Sequence, residues 1–170
     1  MNKRQILILQ GIQGSGKSTF ARQWVDQAPE QRVRYNNDDI RNMLGPYWVP
    51  PREKLIQSIK CGFMYEAMAK GYDIVVDNMN LNPKEIQNIE FMVRDHNAHV
   101  KMVAEEYKDM VYTYEIIFKK FFTPVEECIQ RDIRRPNPIG ESVIRQTYEK
   151  YRSFYEECTN QKGENISPKQ

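Results

Sequence analysis

Nine consecutive residues, Gly11-Ile12-Gln13-Gly14-Ser15-Gly16-Lys17-Ser18-Thr19, carry the side chains and backbone freedom that a nucleotide's phosphates require. Gly11, Gly16, Lys17 and Ser18 fit the pattern G-x-x-x-x-G-K-[ST]. Glycines let the backbone curl around a triphosphate so that its N–H groups face the anion. A following helix adds unpaired N–H groups and the positive end of its dipole. The Lys17 ammonium has the reach for the β- and γ-phosphates, and the Ser18 hydroxyl is a magnesium ligand by type. Gly11 to Thr19 are therefore the candidate ATP-binding residues, with Ser18 as the metal ligand.

Two carboxylates stand out beyond this loop. Asp38 has the position for a general base that deprotonates an acceptor hydroxyl, or it caps the helix through Ile40 together with Asp39. Asp77 binds magnesium through water, or it is a turn carboxylate bonded to Asn78 or Asn80. Arg41 lies one turn after Asp38, where it holds an acceptor's phosphate or makes an i,i+3 ion pair. Arg131, Arg134 and Arg135 crowd the end of one helix. They complement its dipole, or they form a lid that delivers positive charge to a transferring phosphoryl group. Tyr47 and Trp48 stack on bases or cover the core. His96 and His99 have no partner motif.

The elements that must place these groups follow from pattern. Ile6 to Leu9 is an apolar strand entering the glycine loop, and a helix runs from the loop to about Gln27. Arg32 to Asn36 reads as a second strand, and Asn37-Asp38-Asp39 offers caps for a short helix. Gly45 to Pro51 breaks it with an aromatic, proline-rich loop whose role is open. Arg52 to Lys70 is a long helix with Leu55, Ile56, Ile59, Phe63 and Ala67 on its apolar face. Ile74-Val75-Val76 is a central strand ending in Asp77. Asn82-Pro83-Lys84-Glu85 caps the next helix. Val100 to Val103 reads as a fourth strand and Val111 to Phe118 as a further one, with a turn at Lys108-Asp109. Thr123-Pro124 opens a helix toward Arg134. Ser142 to Glu157 is a final helix with an aromatic core stripe of Tyr148, Tyr151, Phe154 and Tyr155. Strand and helix alternate, so the expected fold is α/β, a parallel sheet sandwiched by helices, with an arginine-bearing lid. Ligands in such folds bind beyond the C-terminal strand ends, where the loop, Asp38 and Asp77 all fall.

The whole chain narrows the classes. Its 170 residues, 40% hydrophobic and 28% charged, suit one globular core, residues 1–158, with a polar tail, residues 159–170. A net charge of +2 does not announce a nucleic-acid groove. Cys61, Cys128 and Cys158 show neither metal spacing nor a disulfide framework, which points to a reducing, cytoplasmic setting. No apolar run approaches ~18 residues, so no membrane span is expected. Met1 to Arg4 leaves no room for a signal peptide before the first strand. The guanine reader Asn-Lys-x-Asp and the Asp-x-x-Gly switch are absent, against a GTPase. The size is that of a small kinase. Oligomeric state is not set by the sequence.

Four motifs in order resemble the 5′-kinase domain of phage-type polynucleotide kinase: Gly11 to Thr19, Asn37-Asp38-Asp39-Ile40-Arg41, Asn80-Leu81-Asn82-Pro83, and Arg131 with Arg135. The likeness runs from Met1 to about Phe154. It implies that ATP and Mg2+ are used to phosphorylate 5′-OH ends of DNA or RNA. It also implies that Lys17 and Ser18 hold the donor and that Asp38 is the base. Arg41 then contacts the acceptor's phosphate, and Arg131 and Arg135 are lid arginines on the donor. Catalysis would rest on Lys17, Asp38 and Arg135. Met79 stands where relatives often have Thr, and no Asp-x-Asp-Gly phosphatase motif is present, so 3′-phosphatase activity is not expected. A small-molecule or nucleoside kinase is the first alternative. A non-catalytic nucleotide-binding module is the second.

Overall fold

The computed structural model describes residues 2–104 and 111–156. The chain forms β1 (Asn2–Gln10), α1 (Lys17–Asp26), β2 (Arg32–Tyr35), α2 (Asn37–Met43), α3 (Glu53–Ala69), β3 (Asp73–Val76), α4 (Pro83–Val103), β4 (Tyr112–Lys120), α5 (Val125–Ile133) and α6 (Glu141–Lys150). Two compact units divide it. One is Met1–Gln10 with Lys17–Lys119, and the other is Gly11–Gly16 with the chain from Lys120 onward.

The first unit holds a parallel four-stranded α/β sheet in the order β2-β3-β1-β4, flanked by helices. β3 is central, as its unbroken apolar run requires. Ile6 pairs with Ile74 and Ile8 with Val76 on one side of β3, and Tyr35 pairs with Val76 on the other. Ile6, Ile8, Ile74 and Val76 pack with Met64, Met68, Ile89, Met92 and Tyr35 in one core. The parallel register brings the C-terminal ends of β1, β2 and β3 to one edge of the sheet, the edge where such folds take ligands.

The expected strand at Val100 to Val103 is helix instead. No Gly or Pro interrupts the chain from Lys84 to Val103, and Ile89, Met92, Val93, His96 and Val100 are buried at helical spacing. α4 therefore runs 21 residues from its Asn82 cap, whose side chain accepts the Lys84 N–H as the motif predicts. The β-prone run appears as β4, so that among the described residues there are four strands rather than five. The turn expected at Lys108-Asp109 and the polar tail lie outside the described residues. β4 is fastened to α4 by side chains: the Asn97 amide donates to Tyr114 O and accepts from Tyr114 N, both at 2.8 Å.

α3 is where expected, but its buried face is Ile56, Lys60, Met64, Ala67 and Met68, while Leu55 is exposed. Lys60 thus sits on the inward face, where burial lowers the pKa of its amine against the opposing charge of Glu85. α6 covers Glu141–Lys150; Tyr151, at φ −115° and ψ 28°, interrupts the expected helix, residues 152–156 are helical again, and Glu157 lies outside the described residues. Among the described residues no helix is long and apolar enough to cross a membrane.

Candidate functional site

In the sheet unit the site begins where β3 ends. Asp77 is 1% exposed. Its Oδ1 accepts the Ser18 hydroxyl at 3.2 Å, and its Oδ2 accepts Arg34 Nε at 2.7 Å and pairs with Nη2 at 2.6 Å. The carboxylate therefore serves Ser18 and Arg34 and does not bond the side chains of Asn78 or Asn80. Burial pushes the Asp77 carboxyl above the ordinary aspartate value, opposed by Arg34, Ser18 and Lys17. Burial by itself lowers the Arg34 pKa, but the charges and hydrogen bonds of Asp77 and Asp39 together outweigh it and the net direction is up.

The Arg34 guanidinium reaches further. Its Nη1 pairs with Asp39, the neighbour of Asp38. Ser18, Asp77, Arg34 and Asp39 thus form one chain of contacts from the first turn of α1 to the first turn of α2. Asn36 closes the same gap from another direction. Its Oδ1 accepts the Asp39 N–H at 3.0 Å and caps α2, while its Nδ2 donates to Asp77 O. The Asn37 N–H donates to Asn78 Oδ1 at 2.9 Å. The cap is therefore Asn36, and neither Asp38 nor Asp39 spends its carboxylate on that task.

Asp38 is left with side-chain partners only. Its Oδ1 accepts Arg41 Nη1 at 2.6 Å and the Tyr47 hydroxyl at 2.8 Å. Its Oδ2 receives no hydrogen bond among the described residues and the carboxylate is half exposed. Both roles considered for Arg41 meet here. It makes the i,i+3 pair with Asp38, and Glu53 grips its other edge through Nε at 2.9 Å and Nη2 at 2.8 Å. The Glu53 hydrogen bonds raise the Arg41 pKa, so the guanidinium is a fixed cation. One N–H on each of Nε, Nη1 and Nη2 is committed, which leaves two of the five.

Asn80 was one letter of a motif and acts as a staple. It holds a positive φ of 49°, and its Nδ2 donates to Leu9 O at 2.7 Å and Val76 O at 2.9 Å. Gln10 Nε2 donates back to Asn80 O at 2.9 Å. The ends of β1 and β3, which deliver the loop and Asp77, are thereby locked together.

The second unit holds the rest of the phosphate loop. Gly14 has φ of 77°, and a Cβ there would lie 2.4 Å from Cys128 O, so only glycine lets the loop lie on α5. Arg131, further along α5, donates from Nη1 to Gly14 O at 3.4 Å and pairs with Glu127. Arg135 instead faces Asp132 at 3.6 Å and makes no hydrogen bond or ion pair with the loop among the described residues. Asp132 is buried, and its Oδ2 accepts the Gly140 N–H at 2.9 Å, tying α5 to the start of α6 across the proline segment. Thr123 does not cap α5, which has no side-chain cap; its hydroxyl donates to Ser15 O at 2.9 Å. Tyr155 does more than fill the aromatic cluster with Phe122, Tyr148 and Phe154. Its hydroxyl accepts the Ile12 N–H at 3.0 Å, and burial pushes its pKa up to about 12. Ile12, expected to face phosphate, thus spends its N–H on Tyr155. From Gly16 in this unit the chain passes directly to Lys17 and Ser18 in the other.

Sequence reasoning did not find Arg34, Glu53, Asn36 or Asp132 as parts of this machinery. Arg34 and Glu53 carried no motif; only their charge, one strand position and one helix start from an acid, offered a signal.

A parallel sheet with a glycine phosphate loop after its first strand and a carboxylate ending its third is the architecture of a P-loop kinase. The chain belongs to the AAA domain family, whose model matches residues 6–158. It is 30% identical over 89 residues to midasin of Dictyostelium discoideum, covering 51% of this chain and 2% of that protein. It is 23% identical over 167 residues to a protein of Autographa californica nuclear polyhedrosis virus named "Putative bifunctional polynucleotide kinase/RNA ligase", covering 88% of this chain and 21% of that one. A chain of the Pnkp1/Rnl/Hen1 RNA repair complex superposes with a TM-score of 0.66 at 25% identity, over 92% of this chain and 46% of its own length. The chain thus spans less than half the length of each of these relatives.

Proposed function

We propose that the protein is an ATP-dependent polynucleotide 5′-hydroxyl kinase, transferring the γ-phosphate of ATP to the 5′-OH end of DNA or RNA. The observation that carries this is the run Ser18–Asp77–Arg34–Asp39. It ties the hydroxyl of the phosphate loop to the helix turn that presents Asp38 and Arg41. A donor-side group and an acceptor-side pair then share one sheet edge, which is what a two-substrate phosphotransferase needs and a switch or a motor does not. The viral relative's name and the RNA repair complex support a nucleic acid as acceptor.

In this reading Gly11 to Thr19 wrap the triphosphate and Lys17 steadies the β- and γ-phosphates. Mg2+ suits the hard oxygens of Ser18 and Asp77, the latter acting through water, since that ion takes few protein ligands beside phosphate oxygens. Held there, the ion would supply positive charge against the phosphates. Asp38 Oδ2 accepts the proton of the 5′-hydroxyl as its oxygen bonds to the γ-phosphorus. The bond from that phosphorus to the β,γ-bridging oxygen breaks, and ADP leaves. Arg41 holds the phosphate next to the 5′ end with its two remaining N–H groups. Arg131 supplies positive charge to the loop, and Arg135 is the second lid arginine. The thiols of Cys61 and Cys128, which form no disulfide, accord with a cytoplasmic setting.

The test is transfer from γ-labelled ATP to a 5′-OH oligonucleotide, with a 5′-phosphorylated oligonucleotide and free nucleosides as competitors. The reading requires label on the 5′-OH end, competed by 5′-OH ends far better than by nucleosides. Label on nucleosides alone makes it a small-molecule kinase. ATP binding with no transfer to any hydroxyl makes it a binding module.

A further inference from the structure

The loop between α2 and α3 carries two aromatic rings that the fold leaves outside its core. Tyr47 is 50% exposed and Trp48 62%. Large aromatics normally contribute by burial, so two adjacent exposed ones on a structured loop need a reason. This loop is structured. Pro50–Arg52 forms a 3₁₀ turn, and Arg52 Nη1 donates to Leu44 O at 2.7 Å across its base. The hollow beside Tyr47, lined by Leu44, Val49 and Ile56 among others, is too small to admit a water molecule. A ligand of these rings therefore meets their exposed surface rather than that hollow.

Their surroundings specify the ligand. The Tyr47 and Trp48 rings lie 5.8 and 5.6 Å from the Arg41 guanidinium, which Glu53 holds in place. The Tyr47 hydroxyl donates to the same Asp38 oxygen that Arg41 holds. Carboxylate, cation and aromatic faces therefore follow one another over a few ångströms. That order matches the parts of one nucleotide end: hydroxyl, phosphate, base. An apolar protein segment matches the rings but leaves the cation and the carboxylate unused.

We propose that Tyr47 and Trp48 are the platform on which a base at the 5′ end of a single strand stacks, and that Trp48 is a specificity-determining residue for the acceptor. The proposal rests on the reading of Asp38 and Arg41 as the acceptor site. Stacking on an open ring accepts every base, because each has a π-face. The platform should therefore distinguish unpaired from paired ends and tolerate all four bases.

Trp24 and Trp48 are the two tryptophans of the chain, so Trp24→Phe leaves Trp48 as the sole fluorophore. In that background a 5′-OH single-stranded hexamer is titrated without ATP, beside a blunt duplex and a hexamer with abasic sites at its first two positions. The platform requires saturable quenching by the hexamer and loss of quenching with the abasic strand. In transfer assays Trp48→Ala should raise the oligonucleotide KM about tenfold or more and leave the ATP KM alone, the range expected for one lost stack. Trp48→Phe should recover most of that loss. Equal quenching by the abasic strand, or a Trp48→Ala variant with the normal oligonucleotide KM, overturns the platform while the kinase reading stands. A wild-type protein that transfers no label overturns the kinase reading, and quenching alone then decides whether the rings bind a base. Quenching that follows an added apolar peptide rather than the strand gives the loop to a protein partner.

Discussion

Arg34 places two of its nitrogens on Asp77 Oδ2, at 2.7 and 2.6 Å, while the other oxygen of the same carboxylate holds Ser18. One buried carboxylate therefore divides its two oxygens between the phosphate loop and the cation that reaches the acceptor helix. Replacing Arg34 strands a charge that is 1% exposed. Breaking a buried pair from one side costs about 3–5 kcal/mol, or roughly 6–20 °C in Tm for a chain of this size. Arg34→Ala should lower the melting temperature by that order in thermal denaturation. The double variant Arg34→Met with Asp77→Asn should recover much of it. A single variant that melts like the wild type would show that the pair does not hold this edge.

Glu53 should act through Arg41 on the acceptor alone. Its hydrogen bond with Arg41 holds its pKa below the ordinary glutamate value. A group whose folded pKa is depressed stabilises the fold above its unfolded value, near 4.3, and loses that contribution as pH falls through the lower folded value. Between pH 6 and 9 the clamp is therefore intact, and Glu53 contributes no limb to the pH profile there. Glu53→Gln should raise the oligonucleotide KM roughly tenfold with the ATP KM within twofold, read from steady-state kinetics. Equal changes in both would move Glu53 from positioning the acceptor to supporting the whole site.

The lid arginines should separate. Arg131 touches the phosphate loop at Gly14 O, and Arg135 faces Asp132. In the ligand-free protein, Arg131→Ala should weaken ATP binding by roughly tenfold in calorimetry, whereas Arg135→Ala should affect turnover more than binding. The reverse order would exchange their roles.

Much of this was legible in the sequence, and the misses have physical causes. The phosphate loop, β3 with Asp77, and the Asn82 cap are encoded by local chemistry that tertiary context does not change. Val100 to Val103 misled because β-branched residues with no helix breaker follow whichever element precedes them, and the α4 stripe reached them first. The α2 cap fell to Asn36 rather than to either aspartate because Asn36 alone also finds an acceptor at Asp77 O, across 41 residues of sequence. Arg34, Glu53 and Asp132 had no motif to announce them. Their roles exist only through partners brought near by the fold. The Tyr155 hydroxyl on Ile12 N–H is the extreme case, a contact between residues 143 apart.

The most direct measurement is single-turnover transfer by Asp38→Ala, paired with calorimetric ATP binding on the same sample. Removing the base from an intact donor site should cut the transfer rate to the 5′-OH by about 10²–10⁴-fold while the ATP Kd stays within twofold. Full transfer by Asp38→Ala would contradict the account, leaving Asp38 as no more than an ion-pair partner of Arg41.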